Sequence, residues 1–475
     1  MKFAVINKLI LLALIAISCC KTTENVNNEP AYEHHKWLDK PPMGWNSFDA
    51  YGSRINEKEF RDHVEIIEDK LLPYGYNYAV IDYIWFNDNP GAWGNPKKRF
   101  GHPDLKLDEN GVPIEKLNMD EYGRLLPSPV RFPSSADGKG FKPLADWVHS
   151  KGMKFGIHIM RGIPRQAYYE DLPILGTNGI TAKDITEPED TCNWLNNMFG
   201  IDGLKEGSQE YYNSIFNLYA EWGVDFVKAD NMLYPEYHTD DLEMMRKAID
   251  QCGRPIILSV SNGEAPLAYA EHLAATTNLW RVSGDFWDRW HEVDHMFSLM
   301  NSWSSYIGNG TFPDADMIPF GKLSLTGRPN GPERWTRLTR DEQYTLMNLW
   351  CISRSPLMLG ADLYTLDDST YTILTNKELL HINQNTTNNR QVYVKRGQRI
   401  TWAADDPENG NMYVALFNLK DEPFKGLFVF EWLKMRGKYK VTNIWTGEDL
   451  GILEKDITVP LEAHASAVFR IEEVN

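Results

Sequence analysis

Two aspartates close apolar runs in the company of cations. Residues 224–231 read Val-Asp-Phe-Val-Lys-Ala-Asp-Asn, which sets Lys228 and Asp230 two apart and therefore on one face of a strand. Residues 279–285 end in Asp285, with Arg281 four positions earlier. Asp82 follows the run 79–81, and Asp314-Ala315-Asp316 precede Met317. A carboxylate kept ionised by a nearby cation can attack carbon, and a second carboxyl kept protonated can donate to a leaving oxygen. That division of labour is the chemistry of glycosidic bond hydrolysis. Any one of these aspartates is explained as well by capping the next helix. Four such strand ends in one chain make capping a poor account of them all.

A second pattern competes. His291-Glu292-Val293-Asp294-His295 spells H-E-x-x-H, which on a helix sets two imidazoles on one face for zinc. No third ligand suggests itself, and the flanking Trp287, Trp290 and Met296 predict instead an amphipathic helix packed on a barrel wall. The expectation is an enzyme that needs neither metal nor cofactor.

The elements that would position these groups alternate. Near-continuous apolar runs at 43–48, 78–85, 154–160, 225–230, 255–261 and 279–285 read as parallel strands buried on both faces. Helical patterns at 56–71, 209–222, 240–252 and 264–275 lie between them, the first opened by Asn56 as an N-cap. Repeated βα units predict either a closed (β/α)8 TIM barrel or an open doubly wound sheet. The barrel is favoured because no glycine-rich phosphate loop follows the first strand, and it would hold its chemistry at the C-terminal strand ends. A Gly- and Pro-rich insertion at 87–141 would lie over the mouth. After residue 384, short β-rich runs recur about every ten residues, predicting an antiparallel β-sandwich. The expected division is therefore a barrel over 37–383 and a β-domain over 384–475.

The 475 residues carry 49 Lys and Arg against 66 Asp and Glu, a net charge of −17, which disfavours nucleic acid as a partner. Sixteen Trp, 22 Tyr and 20 Phe suit sugar stacking, though most must form core. Residues 9–17 are an unbroken apolar run, too short to span a bilayer but long enough for a signal-peptide core. Ala16-Ile17-Ser18-Cys19 after it resembles the lipobox of bacterial lipoproteins. This predicts a leader over 1–19, a lipid anchor at Cys19 with Cys20 the neighbouring alternative, and a flexible polar tether over 20–36. The expected place is an exported, membrane-anchored lipoprotein, or a secreted protein if the leader is simply cleaved. Cys192, Cys252 and Cys351 are odd in number and far apart, so neither a disulfide framework nor a cysteine zinc site is expected.

Longer motifs carry a resemblance. Pro41-Pro42-Met43-Gly44-Trp45-Asn46-Ser47-Phe48 is similar to the PPMGWNSW opening of the glycoside hydrolase family 27 α-galactosidases. Ile81-Asp82 followed by Trp85, residues 154–157 (KFGI), 228–231 (KADN), 281–285 (RVSGD), 314–317 (DADM), 355–362 (SPLMLGAD) and 375–378 (TNKE) follow in the family's order. The resemblance implies a barrel with an antiparallel C-terminal domain and a retaining exo-hydrolase that works by double displacement. It implies Asp230 as nucleophile and Asp285 as acid/base, with Trp45, Asp82, Lys228, Arg281 and Asp316 around the terminal sugar. At three positions the chain departs from the pattern. Tyr83 stands where a second aspartate would grip the sugar, His158 where tyrosine is common, and Ser259-Val260-Ser261 where a Glu or Trp often lies near the 2-position. Met232 replaces the cysteine of a family disulfide. Terminal α-D-galactosides are the leading substrate. Tyr83, His158 and Ser261 keep β-L-arabinopyranosides, α-N-acetylgalactosaminides and isomaltose-type dextran ends open. An idle glycan-binding lipoprotein is the alternative from another class.

Overall fold

A computed structural model of the chain describes residues 32–90, 106–107, 113–114, 116–192, 194–195, 197–326 and 331–474. The leader, Cys19 and most of the tether lie outside the described residues, as does much of the 87–141 insertion.

Eight parallel strands form the inner layer: β1 Met43–Asn46, β2 Tyr78–Ile81, β3 Lys154–Met160, β4 Phe226–Asp230, β5 Ile257–Val260, β6 Leu279–Arg281, β7 Phe312–Asp314 and β8 Leu357–Leu359. From β1 to β7 each pairs with its sequence neighbours, and β1 also pairs with β8. Closure falls to one parallel bridge past the end of β7, where Ile318 N–H donates to Met358 O at 2.8 Å and Gly360 N–H to Ile318 O at 3.1 Å. The outer layer is α1 Glu57–Ile66, α2 Lys142–Ser150, α3 Ser208–Trp222, α4 Thr239–Gln251, α5 Ala270–Thr276, α6 Trp290–Trp303, α7 Arg340–Ile352 and α8 Lys377–Asn385. This is the closed barrel that the βα alternation favoured.

Local chemistry explains where elements start and stop. Asn56 and Glu59 form a reciprocal capping box at the start of α1, at 3.0 and 3.1 Å. The run 264–275 is helical only from Leu267, because Pro266 cannot sit inside a helix and biases its predecessor towards extended backbone. β2 stops at Ile81 rather than continuing to Trp85: the Asp82 side chain takes the Tyr83 N–H at 2.9 Å, and Ile84 adopts a left-handed φ of 58°. The end of the tether is also corrected. Glu33–Trp37 is a 3-10 turn docked on the barrel wall, with His34 and His35 buried, His35 Nε2 2.7 Å from Ala274 O and the Arg246 guanidinium over Trp37. Its rings supply the apolar surface that a polar linker lacks.

The C-terminal unit holds a six-stranded antiparallel sheet and a two-stranded partner, Phe424–Val429 with Asp456–Leu461. Between them Val414, Leu416, Phe428, Ile457 and Phe469 form a core. The unit is tied to α7. Thr345 Oγ donates to His464 O at 2.6 Å, and the His464 ring stacks on Trp290 at 3.8 Å while its Nδ1 lies 2.7 Å from Glu342.

Candidate active site

The mouth of the barrel gathers most of the predicted residues. Lys228 and Asp230 leave β4 on one face, as their spacing required. Asp230 is buried and accepts three hydrogens: from His158 Nε2 at 3.0 Å, from Ser261 Oγ at 3.2 Å and from the Asn231 N–H at 2.8 Å. Burial pushes its carboxyl up, but the His158 contact, the Lys228 charge and the Asn231 amide outweigh that and hold it below the ordinary carboxylate value. Asp230 is therefore ionised at neutral pH, the state a nucleophile needs.

Lys228 Nζ donates to Asp82 Oδ2 at 3.0 Å, and Asn46 Nδ2 donates to the same oxygen at 2.8 Å. The desolvation cost of burying Asp82 is again outweighed, first by Lys228, and its carboxyl is held at about 2. Lys228 itself is raised despite burial by Asp82 and Asp230, so it stays cationic. Across the mouth, Arg281 Nη2 lies 2.6 Å from Asp316 Oδ2 and 3.6 Å from Asp285 Oδ1. Its Nε and Nη1 are buried and have no partner among the described residues. Asp316 adopts a left-handed φ of 76° and takes the Phe286 N–H at 2.8 Å, locking the β6 and β7 loops together. The Asp285 side chain, 46% exposed, is the open one of the set.

Tyr83 and His158 meet edge to face at 5.6 Å, so the two departures from the family pattern are in contact. Tyr83 is fully buried, with Phe48 and Trp194 on its other sides. His158 touches the Asp230 carboxylate directly, which places it behind that group rather than only on a ligand.

Trp45 is a correction. Its ring stacks on His63 of α1 at 4.3 Å, its Nε1 donates to Ala361 O at 2.9 Å, and none of its surface is open. Strand alternation sends Asn46 inward to Asp82, so Trp45 must point out to the helix layer. Phe48 lies at the mouth instead, facing Tyr83 and Trp287 with Lys228 Nζ 5.5 Å from its ring.

Sequence reasoning missed two further groups. Arg161, just past β3, donates through Nε to Asn231 O at 3.2 Å and through its amide to Asp230 O at 3.1 Å. Asp49 is fully buried, and its Oδ2 has no partner among the described residues. Burial and then the charge of Asp316 push its carboxyl well above the usual range. A polar residue right after an apolar strand was the available signal for Asp49; Arg161 had none.

The H-E-x-x-H pattern does lie on a helix, α6, but it does not gather a site. His291 and His295 are 75% and 59% exposed, and His295 faces Glu264. Glu292 is used in accepting the Trp287 N–H and pairing with Arg289. Among the described residues neither imidazole has a second and third metal-ligating group within reach.

Comparison with known proteins completes the picture. Residues 200–385 match the family model described as alpha galactosidase A, and 396–471 match the alpha galactosidase C-terminal beta sandwich domain. An α-galactosidase of Cyamopsis tetragonoloba is 25% identical over 90% of this chain and 85% of its own. One from Coffea arabica is 29% identical over 80% and 79%. A family 27 β-L-arabinopyranosidase of Geobacillus stearothermophilus superposes with a TM-score of 0.87 at 42% identity, covering 94% of this chain and 100% of its own. Likeness of that depth along both structural units decides the matter: the chain belongs to glycoside hydrolase family 27 and is an α-galactosidase-like glycoside hydrolase.

Proposed function

We propose that the protein removes terminal pyranosides with the galacto ring configuration, by double displacement with retention. The observation that carries this is the Asp230 carboxylate, ionised under three donors at the end of β4, opposite the open Asp285 on the β6 loop. Asp230 attacks the anomeric carbon while Asp285 gives its proton to the leaving oxygen. A water then enters, Asp285 removes a proton from it, and the water oxygen attacks the anomeric carbon and releases the Asp230 carboxylate, with the starting configuration restored. Lys228, Asp82, Arg281 and Asp316 bind the hydroxyls, and Ser261 orients Asp230.

α-D-Galactose and β-L-arabinopyranose share this ring configuration and differ in the hydroxymethyl group at C5. The curated relatives named α-galactosidases support the first sugar. Buried Tyr83, beside His158 and Phe48, supports the second by filling space a hydroxymethyl group would take, as does the likeness to the arabinopyranosidase. We infer that both are cleaved and that the β-L-arabinopyranoside is the faster. The test is turnover of the p-nitrophenyl α-D-galactoside, β-L-arabinopyranoside and α-N-acetylgalactosaminide, with the product anomer followed by proton NMR. Turnover of none, or inversion, refutes the proposal; loss of activity in Asp230→Ala and Asp285→Ala supports the roles.

For place, we propose export and anchoring through a lipid on Cys19. Its support is the short apolar run ending in Ala-Ile-Ser-Cys. Labelled palmitate should enter the wild type and not a Cys19→Ala chain.

A further inference from the structure

Trp335 is the only exposed tryptophan among the described residues, with 56% of its surface open. It sits on a short hairpin in the loop between β7 and α7, where Lys322–Leu323 pair with Arg334–Trp335. A β→α loop lies on the catalytic face of a barrel. Two contacts fix it there: Ser324 N–H donates to Asp49 O at 2.8 Å and Leu325 N–H to Ala50 O at 2.7 Å, just past β1.

The hairpin is also rigidly joined to the loop that carries Asp285. Arg334 forks onto Asp288, with Nη2 to Oδ1 at 2.6 Å and Nε to Oδ2 at 3.1 Å. Asp288 is wholly buried and is three residues beyond Asp285. Neighbouring residues of a strand point to opposite faces, so the arm that sends Arg334 down to Asp288 holds Trp335 up to solvent. Lys322 Nζ lies 5.7 Å from the indole centroid and 2.9 Å from Glu333 Oε1, which gives the ring a charged, hydrogen-bonding rim. A rigid aromatic surface with polar groups at its edge suits the apolar face of a pyranose, whose hydroxyls lie around its perimeter.

We infer that Trp335 is a platform for a pyranose on the leaving-group side of the scissile bond, so that the enzyme selects sugars carried on a longer saccharide. This deepens the hydrolase proposal and rests on it. The test compares a glycosyl fluoride, which has no ring beyond the bond, with a trisaccharide bearing the same terminal sugar. Trp335→Ala should leave kcat/KM for the fluoride within twofold and lower it about tenfold for the trisaccharide, and Trp335→Tyr should restore most of the loss. Titrating the trisaccharide onto Asp230→Asn protein reads the platform without turnover, and Kd should rise about tenfold when Trp335→Ala is added. Equal losses on both substrates, an unmoved Kd, or a changed mass by light scattering in Trp335→Ala would each overturn the platform. A wild type that binds the trisaccharide through Trp335 but cleaves neither substrate would overturn the hydrolase reading instead.

Discussion

Arg161 Nε lies 3.2 Å from the carbonyl oxygen of Asn231, the residue that follows Asp230. Asn231 holds a left-handed φ of 63°, and in that conformation its N–H reaches back to Asp230 Oδ1. The guanidinium is fixed in turn by a bidentate pair with Asp190, at 2.6 and 2.7 Å, and by Asp241 at 3.3 Å. Arg161 thus sets the turn that orients the carboxylate without touching it. Lysine keeps the charge but not the fork. Arg161→Lys should therefore fold and lose about tenfold in kcat, about 1.4 kcal/mol, with KM within twofold. Arg161→Gln leaves buried Asp241 without its cation and should cost roughly 3 kcal/mol of stability in denaturant melts. A folded Arg161→Lys enzyme with full kcat would remove the clamp from the mechanism.

His158 gives a pH test. Its contact with Asp230 favours the charged carboxylate, so removing it raises the Asp230 pKa. With Asp230 as the proposed nucleophile, the acidic limb of kcat/KM reports its carboxyl in the free enzyme, and a higher pKa moves that limb to higher pH. In His158→Phe the acidic limb should therefore move to higher pH, because the donor that favours the charged carboxylate is gone. The alkaline limb should stay in place. His158→Gln retains a donor and should recover part of the shift; a limb that does not move in His158→Phe refutes the role.

What was legible in the chain followed from local rules. Apolar runs closed by charged residues marked β2, β4 and β6, because a strand that ends at the mouth turns from core to ligand within one residue. The spacing of Lys228 and Asp230 placed both on one face for the same reason. β7 and β8 are three residues long, too short for periodicity to show them as strands; β6 is as short and was marked by the charged residues that close its run. The sandwich strands Asp449–Leu453 and Asp456–Leu461 carry Gly, Asp and Pro, which hide a β pattern. Arg161 and Asp49 gain their meaning only from partners distant in sequence. Motif matching marked Trp45 for the sugar, whereas the inward turn of Asn46 gives that place to Phe48.

The Trp45 correction separates two kinds of loss. Trp45→Ala opens a cavity between the barrel and α1 and should cost about 3–5 kcal/mol of stability. Phe48→Ala removes a ring from the mouth, between Tyr83, Trp287 and the Lys228 ammonium. It should raise KM and lower kcat/KM by about tenfold. Thermal melts and kinetics on the two variants should therefore fall in opposite patterns. Stable Trp45→Ala protein with a KM defect would return that ring to the sugar site.

On the proposed function, Tyr83 is the residue that sets which sugar is preferred. Its ring is enclosed by Phe48, His158 and Trp194, and Asp82 beside it already holds Asn46 and Lys228. On that reading the chain keeps one carboxylate for ring hydroxyls, and an aromatic ring stands in the place of a second. A wall is neutral to a sugar without a hydroxymethyl group and clashes with one that carries it. Tyr83→Ala should shift the ratio of kcat/KM for α-D-galactoside over β-L-arabinopyranoside upward by about tenfold, about 1.4 kcal/mol. Tyr83→Asp should shift it further, because a carboxylate can accept from the 6-hydroxyl. His158, which meets the Tyr83 ring edge to face, would be the nearest donor to that carboxylate. Measured on one enzyme with two aryl glycosides, the ratio is insensitive to partial unfolding. If it stays fixed in both variants, Tyr83 is packing alone and the specificity lies elsewhere in the mouth.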